Sequence, residues 1–322
     1  MRILSGIQPT GTLHLGNYFG MMRAAIDLQN QGEAFYFIAD LHALTTVHDS
    51  GTLQRNVKSV AIDFLACGLD PEKVCFFRQS AVPVVTELSW ILSTVTPMGL
   101  LERCHSYKDK IARGIDASHG LFAYPVLMAA DILIYDSDLV PVGKDQKQHI
   151  EVARDIAIKM NERYGGNIFK LPEPQIREET ALVPGLDGEK MSKSYNNTVE
   201  IFADEATFRK KIMSMKSDST PVDQPKTVEG SPILGLYKLV ASTTDYQTME
   251  DEFRKGGIGY GDFKKRLFGT LWEHFAPMRE RRNHLIENPN AVLRILESSG
   301  EKANAVANGV MDRVRDAVGI RQ

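Results

Sequence analysis

Cysteine is scarce in this sequence, and a long hydrophobic run and a large net charge are both missing. Three cysteines, Cys67, Cys75 and Cys104, lie far apart among 322 residues. Their number and spacing predict neither a disulfide framework nor a cluster of metal ligands, and they suit a reducing compartment. With 38 basic and 41 acidic residues the net charge is −3, so a polyanionic partner would have to be held by a local basic patch.

The longest apolar stretch, Ala123–Tyr135, is interrupted by Asp131 and is shorter than the roughly 20 residues of a membrane-spanning helix. No basic segment followed by an apolar one opens the chain, so we expect no secretory signal. The composition is that of a globular protein, with 43% hydrophobic and 25% charged residues. We therefore expect a cytoplasmic protein with no membrane contact, of about two domains by length.

Segments with strand and helix patterns alternate in the N-terminal half. Short apolar runs predict strands at Arg2–Gly6, Ala34–Ala39, Val74–Phe77 and Leu139–Gly143. Amphipathic runs predict helices at Asn17–Asn30, Leu53–Cys67 (ended by Gly68) and Gln146–Tyr164. The alternation predicts an α/β fold, a Rossmann-like parallel sheet with helices on both faces. Such sheets bind ligands at the carboxyl ends of their strands.

Strand patterns disappear after about residue 190. The segments that follow predict helices at Glu205–Met215, Leu234–Ser242, Tyr246–Arg254, Tyr260–Ile286 and Ala291–Val318. We expect a catalytic domain at residues 1–190 and an all-helical C-terminal domain at residues 191–289. The C-terminal helix, residues 290–322, is expected to rejoin the first domain.

The first candidate site is the turn between the first predicted strand and helix, Thr10–Asn17. Free backbone N–H groups at the start of a helix, together with the helix dipole, suit phosphate. Gly11 and Gly16 let the backbone approach a ligand closely, and His14 can donate a hydrogen bond to a phosphate oxygen. The alternative is a glycine-rich turn with an incidental histidine.

The second candidate site is a polar loop, Gly185–Ser194, at the junction of the two halves. Its two lysines, Lys190 and Lys193, can stabilise charge that develops on the α-phosphate and on departing pyrophosphate. The alternative is a solvated linker, which loops of this composition often are.

These motifs carry a resemblance to a known family. HLGN at 14–17 resembles the first signature of class I aminoacyl-tRNA synthetases, and KMSKS at 190–194 matches their second signature letter for letter. Ser5–Gly11, Tyr124–Leu133 and Pro141–His149 are similar to segments of bacterial tryptophanyl-tRNA synthetases. The likeness runs from residue 2 to about 200. Two residues depart from the usual pattern: His14 stands where many members have Thr, and Lys144 where they often have Glu.

The resemblance implies a tryptophan–tRNA ligase. Such enzymes form Trp-adenylate and pyrophosphate from L-tryptophan and ATP with Mg²⁺, then transfer Trp to tRNA(Trp), and they act as homodimers. No protein-bound structural metal is expected. Three alternatives stay open: a tyrosyl-tRNA synthetase, a duplicated weakly catalytic paralogue with an RNA-binding or regulatory role, and another nucleotidyltransferase such as a pantothenate synthetase.

The resemblance also implies roles for single residues. The catalytic residues implied are His14, Lys190, Lys193 and Lys110. The residues implied to bind ATP are Gln8, Pro9, Thr10, Gly16, Asn17, Gly143, Lys144, Asp145, Val183, Lys190, Met191, Ser192, Lys193 and Ser194. The residues implied to bind tryptophan are Asp131, Gln8, His42, Tyr124, Met128, Val140, Val142 and Gln146. Val183, in the strand-like Ala181–Pro184, would offer backbone hydrogen bonds to adenine.

Asp131 can also be judged from its surroundings. An unpaired carboxylate in an apolar segment costs several kcal/mol, so Asp131 needs a donor. The N–H of an indole is one such donor, and a contact with another helix is the alternative. Rejection of smaller amino acids by a buried polar partner would make a separate editing domain unnecessary.

Three basic clusters in the helical half are the candidates for contact with tRNA phosphates. They are Arg209–Lys211, Lys264–Arg266, and Arg279 with Arg281 and Arg282. Phosphate contacts require cations on one face of the molecule. The alternative is that these residues belong to ordinary solvated helix surfaces. From this pattern we expect Arg281 and Arg282 to serve tRNA charging but not amino-acid activation.

Overall fold

A five-stranded parallel sheet forms the N-terminal half. The computed structural model describes residues 1–9, 11–104, 118–142, 147–176 and 183–321. Within these ranges the strands are β1 (Arg2–Ile7), β2 (Glu33–Ile38), β3 (Val74–Arg78), β4 (Leu139–Val142) and β5 (Glu173–Ile176). Their order across the sheet is β3-β2-β1-β4-β5, and every pair is parallel. The predicted Rossmann-like architecture is confirmed.

The strand β5 was not predicted. Pro174 lies inside it, and a proline argues against a strand because it cannot donate to the ladder of hydrogen bonds. The strand is at the edge of the sheet, where that donor is not needed. In the strand-like Ala181–Pro184, residues 181 and 182 lie outside the described ranges. Pro184 forms an isolated antiparallel bridge with Lys190.

The sheet separates two hydrophobic cores because side chains alternate along each strand. Ile3, Tyr36 and Phe76 point to one face, where the core continues into the helical half. Leu4, Phe35 and Phe77 point to the other face. Helices therefore cover both faces of the sheet.

The first half contains eight α-helical segments among the described residues. They are α1 (Leu15–Asn17), α2 (Arg23–Leu28), α3 (Asp40–Ala43), α4 (Ser50–Ala66), α5 (Val84–Ser93), α6 (Met98–Glu102), α7 (His119–Leu133) and α8 (Lys147–Tyr164). A π-helical turn at Tyr18–Met22 joins α1 to α2. The Asp49 side chain caps α4 by accepting from Thr52 N at 2.7 Å. Gly68 follows this helix with a φ of 109°, a conformation that favours glycine.

The second half is helical over its described residues. Its helices are α9 (Glu205–Met213), α10 (Pro232–Tyr237), α11 (Thr243–Lys255), α12 (Tyr260–His274), α13 (Ala276–Glu287) and α14 (Pro289–Val318). The prediction of one helix over Tyr260–Ile286 was wrong, because the chain breaks at Phe275. Pro277 lacks an N–H and its ring clashes with a preceding carbonyl, so it starts a new helix. No helix in the described ranges is both long and apolar enough to cross a membrane.

The long helix α14 packs along the edge strand β3. The Cys75 thiol on β3 donates to the Ser299 carbonyl at 3.1 Å. Further along, the Arg315 guanidinium donates to both carboxylate oxygens of Glu87 on α5, at 2.8 and 2.5 Å. The C-terminal helix thus covers the edge of the sheet that β3 would otherwise leave open.

Candidate active site

A cavity of about 330 Å³ opens at the carboxyl end of the sheet. It lies beside the ends of β1, β2 and β4 and against α7. Its lining contains Gln8, His42, Tyr124, Met128, Asp131, Val140 and Val142 together with Leu4, Ser5, Gly6, Met21, Phe37, Ala39, Ile132 and Pro141. The structure therefore brings together the described members of the predicted tryptophan set; Gln146 lies outside the described residues.

Asp131 is a buried carboxyl group in this cavity. It sits on α7 and is 2% exposed. His42 Nε2 lies 2.8 Å from its Oδ2, and the Gln79 side-chain amide donates to Oδ1 at 2.8 Å and to Oδ2 at 2.9 Å. Burial raises the pKa of the Asp131 carboxyl, and the hydrogen bonds from His42 and Gln79 oppose that rise.

These contacts correct one step of the sequence argument. Asp131 does not depend on a ligand for a donor, because two protein side chains already donate to it. A carboxylate offers about four lone-pair positions, so the indole hypothesis survives without that premise. Gln79 was missed because a glutamine after a strand has no distinctive pattern, and its partners come from two other elements.

Two more aromatic side chains extend the polar network. The Tyr124 hydroxyl lies 3.2 Å from Nε2 of the buried His149 on α8. The rings of His42 and Tyr124 meet edge to face, with centroids 6.3 Å apart. His149 was noticed in the sequence as part of a motif and given no role.

The turn between β1 and α1 has one backbone conformation that favours glycine. Gly11 has a φ of 92°. The His14 N–H donates to Asn17 Oδ1 at 3.1 Å, which helps to cap α1. Burial, followed by the nearby charge of Lys193, lowers the pKa of His14 to about 4. The imidazole is therefore neutral at pH 7, and its Nδ1 is buried without a hydrogen-bond partner among the described residues.

The loop that contains KMSKS packs directly on this turn. The Gly16 N–H donates to Met191 Sδ at 3.2 Å, and Leu15 N donates to Val199 O at 2.9 Å. A Cβ on Gly11 would lie 3.6 Å from the Lys193 ammonium. The two motifs are more than 170 positions apart in sequence and form one surface in the structure.

Asn197 holds the KMSKS loop in shape. Its buried side-chain amide donates to Asp187 Oδ1 at 2.8 Å and to the Lys190 carbonyl at 3.1 Å. Its Oδ1 accepts from Ser192 N at 2.8 Å. Gly185 lies so close that a Cβ there would be 2.3 Å from the Asn197 amide nitrogen. Sequence reasoning missed Asn197, because an asparagine three residues beyond the motif looks like an ordinary turn residue.

The remaining predicted residues have mixed placements. Lys190, Lys193 and Ser194 are exposed on the loop, whereas Met191 is buried. The Val183 carbonyl accepts from Met191 N at 2.9 Å, so it pairs with the loop. Thr10, Lys110, Gly143, Lys144 and Asp145 lie outside the described residues. Within the described ranges, no group of three His, Cys, Asp or Glu side chains is arranged to hold a metal ion.

Arg281 and Arg282 make contacts within the protein, and their role in tRNA charging stays a prediction. The Arg282 guanidinium donates to the buried Asp63 on α4 at 2.6 Å, and Arg281 donates to the Ala66 carbonyl at 2.8 Å. The two residues connect α13 to α4 in the N-terminal half. Their spacing placed them on a helix, and nothing in the sequence indicated these two contacts; Arg281 is nevertheless exposed and Arg282 is partly buried.

Some residues of the other two basic clusters also pair within the protein. Lys264 is buried and donates to the Met215 carbonyl at 2.5 Å. The Arg266 guanidinium pairs with Glu252. Arg209 pairs with Glu205 at 3.0 Å, whereas Lys210 is exposed. Arg209, Lys210 and Lys265 are exposed, so the phosphate-binding role of these clusters stays a prediction.

A family model described as tRNA synthetases class I (W and Y) matches residues 1–276. The chain belongs to this family of class I tRNA synthetases.

Its similar relatives are tryptophan enzymes. The tryptophan–tRNA ligase of Fusobacterium nucleatum is 50% identical, over 99% of this chain and 98% of its own length. That of Rhodopirellula baltica is 51% identical over 100% of both chains. The solved structure of tryptophanyl-tRNA synthetase from Campylobacter jejuni, complexed with ADP and tryptophan, has a TM-score of 0.95 and 48% identity. It covers 99% of this chain and 100% of that chain.

Proposed function

We propose that this chain is a tryptophan–tRNA ligase. It activates L-tryptophan with ATP to give Trp-adenylate and pyrophosphate, and then transfers Trp to tRNA(Trp). Relatives with half of their residues in common carry this activity in their names, and a solved structure of similar sequence contains tryptophan and ADP. ATP enters with Mg²⁺ as a substrate complex.

The observation that carries the proposal is the position of Asp131, a buried hydrogen-bond acceptor, near the point where the turn containing HLGN contacts the KMSKS loop. Gln8 follows β1 and lines the cavity that contains Asp131. The chain then enters the turn on which Met191 and the KMSKS loop pack. An amino acid whose indole N–H meets Asp131 would direct its carboxylate toward a triphosphate held by the turn and the loop.

We assign the roles within the site on the same grounds. His14, Lys193, Lys190 and Lys110 would act on the phosphates, and the turn and loop would hold ATP. A neutral His14 would donate or accept a hydrogen bond there and would contribute no charge. Lys193 would supply the charge for the departing pyrophosphate, because it lies nearest to the turn at Gly11.

The domain division is part of the proposal. Residues 1–190 would form the catalytic domain and residues 191–289 the anticodon-binding domain. Residues 290–322 would rejoin the catalytic domain, and the contacts of α14 with β3 and α5 support this. The shared hydrophobic core on one face of the sheet would keep the two domains in a fixed relation.

We also propose a cytoplasmic homodimer. The three cysteines carry free thiols, which suits a reducing compartment. Trp90 on α5 is 74% exposed, and tryptophan is typical of the buried centres of protein interfaces. Sedimentation should show a dimer that Trp90→Glu converts to a monomer; a monomeric wild type would contradict this.

The charging reaction tests the ligase proposal. Purified protein is incubated with ATP, Mg²⁺, unfractionated tRNA and radiolabelled tryptophan or tyrosine. We expect label from tryptophan alone to become acid-precipitable, and none in the absence of tRNA. Charging with tyrosine would favour the related tyrosine enzyme. No charging with either would favour a paralogue that has lost the second step.

A further inference from the structure

Gln79 stands at a junction between two neighbouring strands of the sheet. It opens the short 3₁₀ turn Gln79–Ala81 that follows β3, and α3 follows the adjacent strand β2. Hydrogen bonds run in both directions between the two segments. The Ser80 N–H donates to Asp40 Oδ1 at 2.9 Å, and backbone N–H groups of α3 donate to the Gln79 side chain. The position of Gln79 is thus set from both sides.

The orientation of the Gln79 amide is fixed by its surroundings. Its Oε1 accepts from the backbone N–H groups of Leu41 at 3.1 Å and His42 at 3.3 Å. Two such donors require an oxygen at that position, so the amide nitrogen must face the other way. The side chain is 2% exposed, which leaves little room for another rotamer.

The Gln79 nitrogen faces Asp131. It donates to both carboxylate oxygens, at 2.8 and 2.9 Å. His42 Nε2 lies 2.8 Å from Oδ2, so a proton shared by this network belongs between these two atoms. Gln79 does not line the cavity, whereas Asp131 and His42 do.

We propose that Gln79 is a positioning residue for amino-acid selection: its amide keeps Asp131 turned and ionised as the acceptor of the indole N–H. This inference rests on the proposed function. Gln79 acts through Asp131 and touches no substrate. The backbone of α3 holds the Gln79 amide, and the Gln79 amide in turn holds the Asp131 carboxylate in one orientation.

Few titratable groups surround the network among the residues that the structure describes. Asp40 on α3 repels the Asp131 charge, and His42 attracts it. Tyr135, beyond the end of α7, feels the Asp131 charge. Tyr124 on α7 and His149 on α8 bond to each other across the cavity wall. A change at residue 79 acts on both oxygens of Asp131 without replacing a titratable group.

Two variants test the inference. Gln79→Met keeps the length and removes the donor. Gln79→Glu places a second carboxyl against Asp131, and the pair then shares a proton that is lost as pH rises. For Gln79→Met we expect the KM for tryptophan in pyrophosphate exchange to rise about ten- to hundredfold, with the KM for ATP and kcat near wild type. For Gln79→Glu we expect the KM for tryptophan to rise about tenfold from pH 6 to pH 8, against a flat wild-type profile.

A substrate analogue separates positioning from simple support of the fold. Benzothienylalanine replaces the indole N–H with sulfur, so it cannot donate to Asp131. Wild type should prefer tryptophan over it, and Gln79→Met should lose about tenfold of that preference or more. Asn161→Leu is the matched control, because the Asn161 amide also bonds backbone groups, those of Phe169 at 2.9 Å, away from the cavity.

The outcomes are distinct. If wild type shows no tryptophan-dependent exchange, the proposed function fails before Gln79 is tested. If wild type is active and both Gln79 variants keep its KM, pH profile and preference, Gln79 has no positioning role. If Gln79→Met and Asn161→Leu lower kcat and raise both KM values alike, Gln79 supports the fold alone, and the inference is overturned.

Discussion

Met191 Sδ accepts a hydrogen bond from the Gly16 N–H across 3.2 Å. Gly16 belongs to the turn that begins α1, and Met191 to the loop that joins the two halves. The contact covers a backbone N–H at a helix start with a weak, polarizable acceptor. A phosphate oxygen is a stronger acceptor for the same group, so we expect ATP to compete with Met191 at this turn.

Asp131→Asn should impair tryptophan activation far more than ATP binding. One oxygen of the carboxylate becomes an NH₂ group, which meets the donors of Gln79 and His42. We expect kcat/KM for tryptophan in pyrophosphate exchange to fall by an amount that corresponds to a rise of about 1–3 kcal/mol in the activation free energy. The KM for ATP should be unchanged. Wild-type kinetics in a folded variant would remove Asp131 from substrate recognition.

Lys193→Ala should lower kcat for adenylate formation by about 10²–10³ with little change in ATP binding. The ammonium lies at the turn, and an interaction made in the transition state lowers kcat when it is removed. Lys210→Ala, at an exposed lysine of α9, is the control. Weaker ATP binding at unaltered kcat would instead make Lys193 a ground-state contact.

Arg282→Met should destabilise the whole protein and reduce activation and charging together. It leaves Asp63 buried without its ion-pair partner. We expect a loss of roughly 2–3 kcal/mol in the free energy of unfolding, at the low end for a buried pair because about a quarter of the Arg282 side chain is exposed. Arg282→Met combined with Asp63→Asn should recover part of the lost stability, because no unpaired carboxylate then remains buried.

The pH dependence of that loss has a definite sign. Burial already raises the pKa of Asp63 above its unfolded value, and removal of Arg282 raises it further. The folded state then holds the proton more tightly than the unfolded state, so stability falls as pH rises. Denaturation at pH 5 and pH 7.5 should show the larger loss of stability at pH 7.5. Selective loss of charging at full stability would contradict this account and support the predicted tRNA role.

His14→Gln should make the protein less sensitive to acid. The pKa of His14 is about 4 in the fold, below the usual 6.5 of an unfolded chain. The unfolded state therefore binds the proton first, and stability falls as pH drops through 6.5 toward 4, by about 3 kcal/mol at most. Urea denaturation of both proteins from pH 7 to pH 4 measures this. If the unfolding free energies of the two proteins depend on pH in the same way, the pKa of His14 is not lowered in the fold.

The sequence predicted what depends on local pattern. Alternating strands and helices predicted the parallel sheet, and HLGN and KMSKS predicted which turn and loop meet. The residues of the cavity were found because Tyr124–Leu133 and Pro141–His149 resemble known segments. These features are encoded in neighbouring residues, so one sequence suffices to see them.

The sequence could not predict contacts made by side chains from distant elements. Gln79 and Asn197 look ordinary in sequence and become specific through partners on other segments. Arg281 and Arg282 belong to a basic cluster in sequence, and their hydrogen bonds to the Ala66 carbonyl and to Asp63 could not be predicted from it. Pro174 argued against a strand in sequence, but a proline is tolerated in β5 because this strand lies at the edge of the sheet. Each case depends on tertiary packing.

Pyrophosphate exchange with each of the twenty amino acids tests the central claim most directly. The protein is mixed with ATP, Mg²⁺, radiolabelled pyrophosphate and one amino acid at a time, without tRNA. The cavity offers Asp131 as an acceptor for an indole N–H beside the turn and loop that would hold ATP. We therefore expect label to enter ATP with tryptophan and to stay at background level with each of the other nineteen amino acids. Exchange with tyrosine in place of tryptophan, or with no amino acid, would contradict the account.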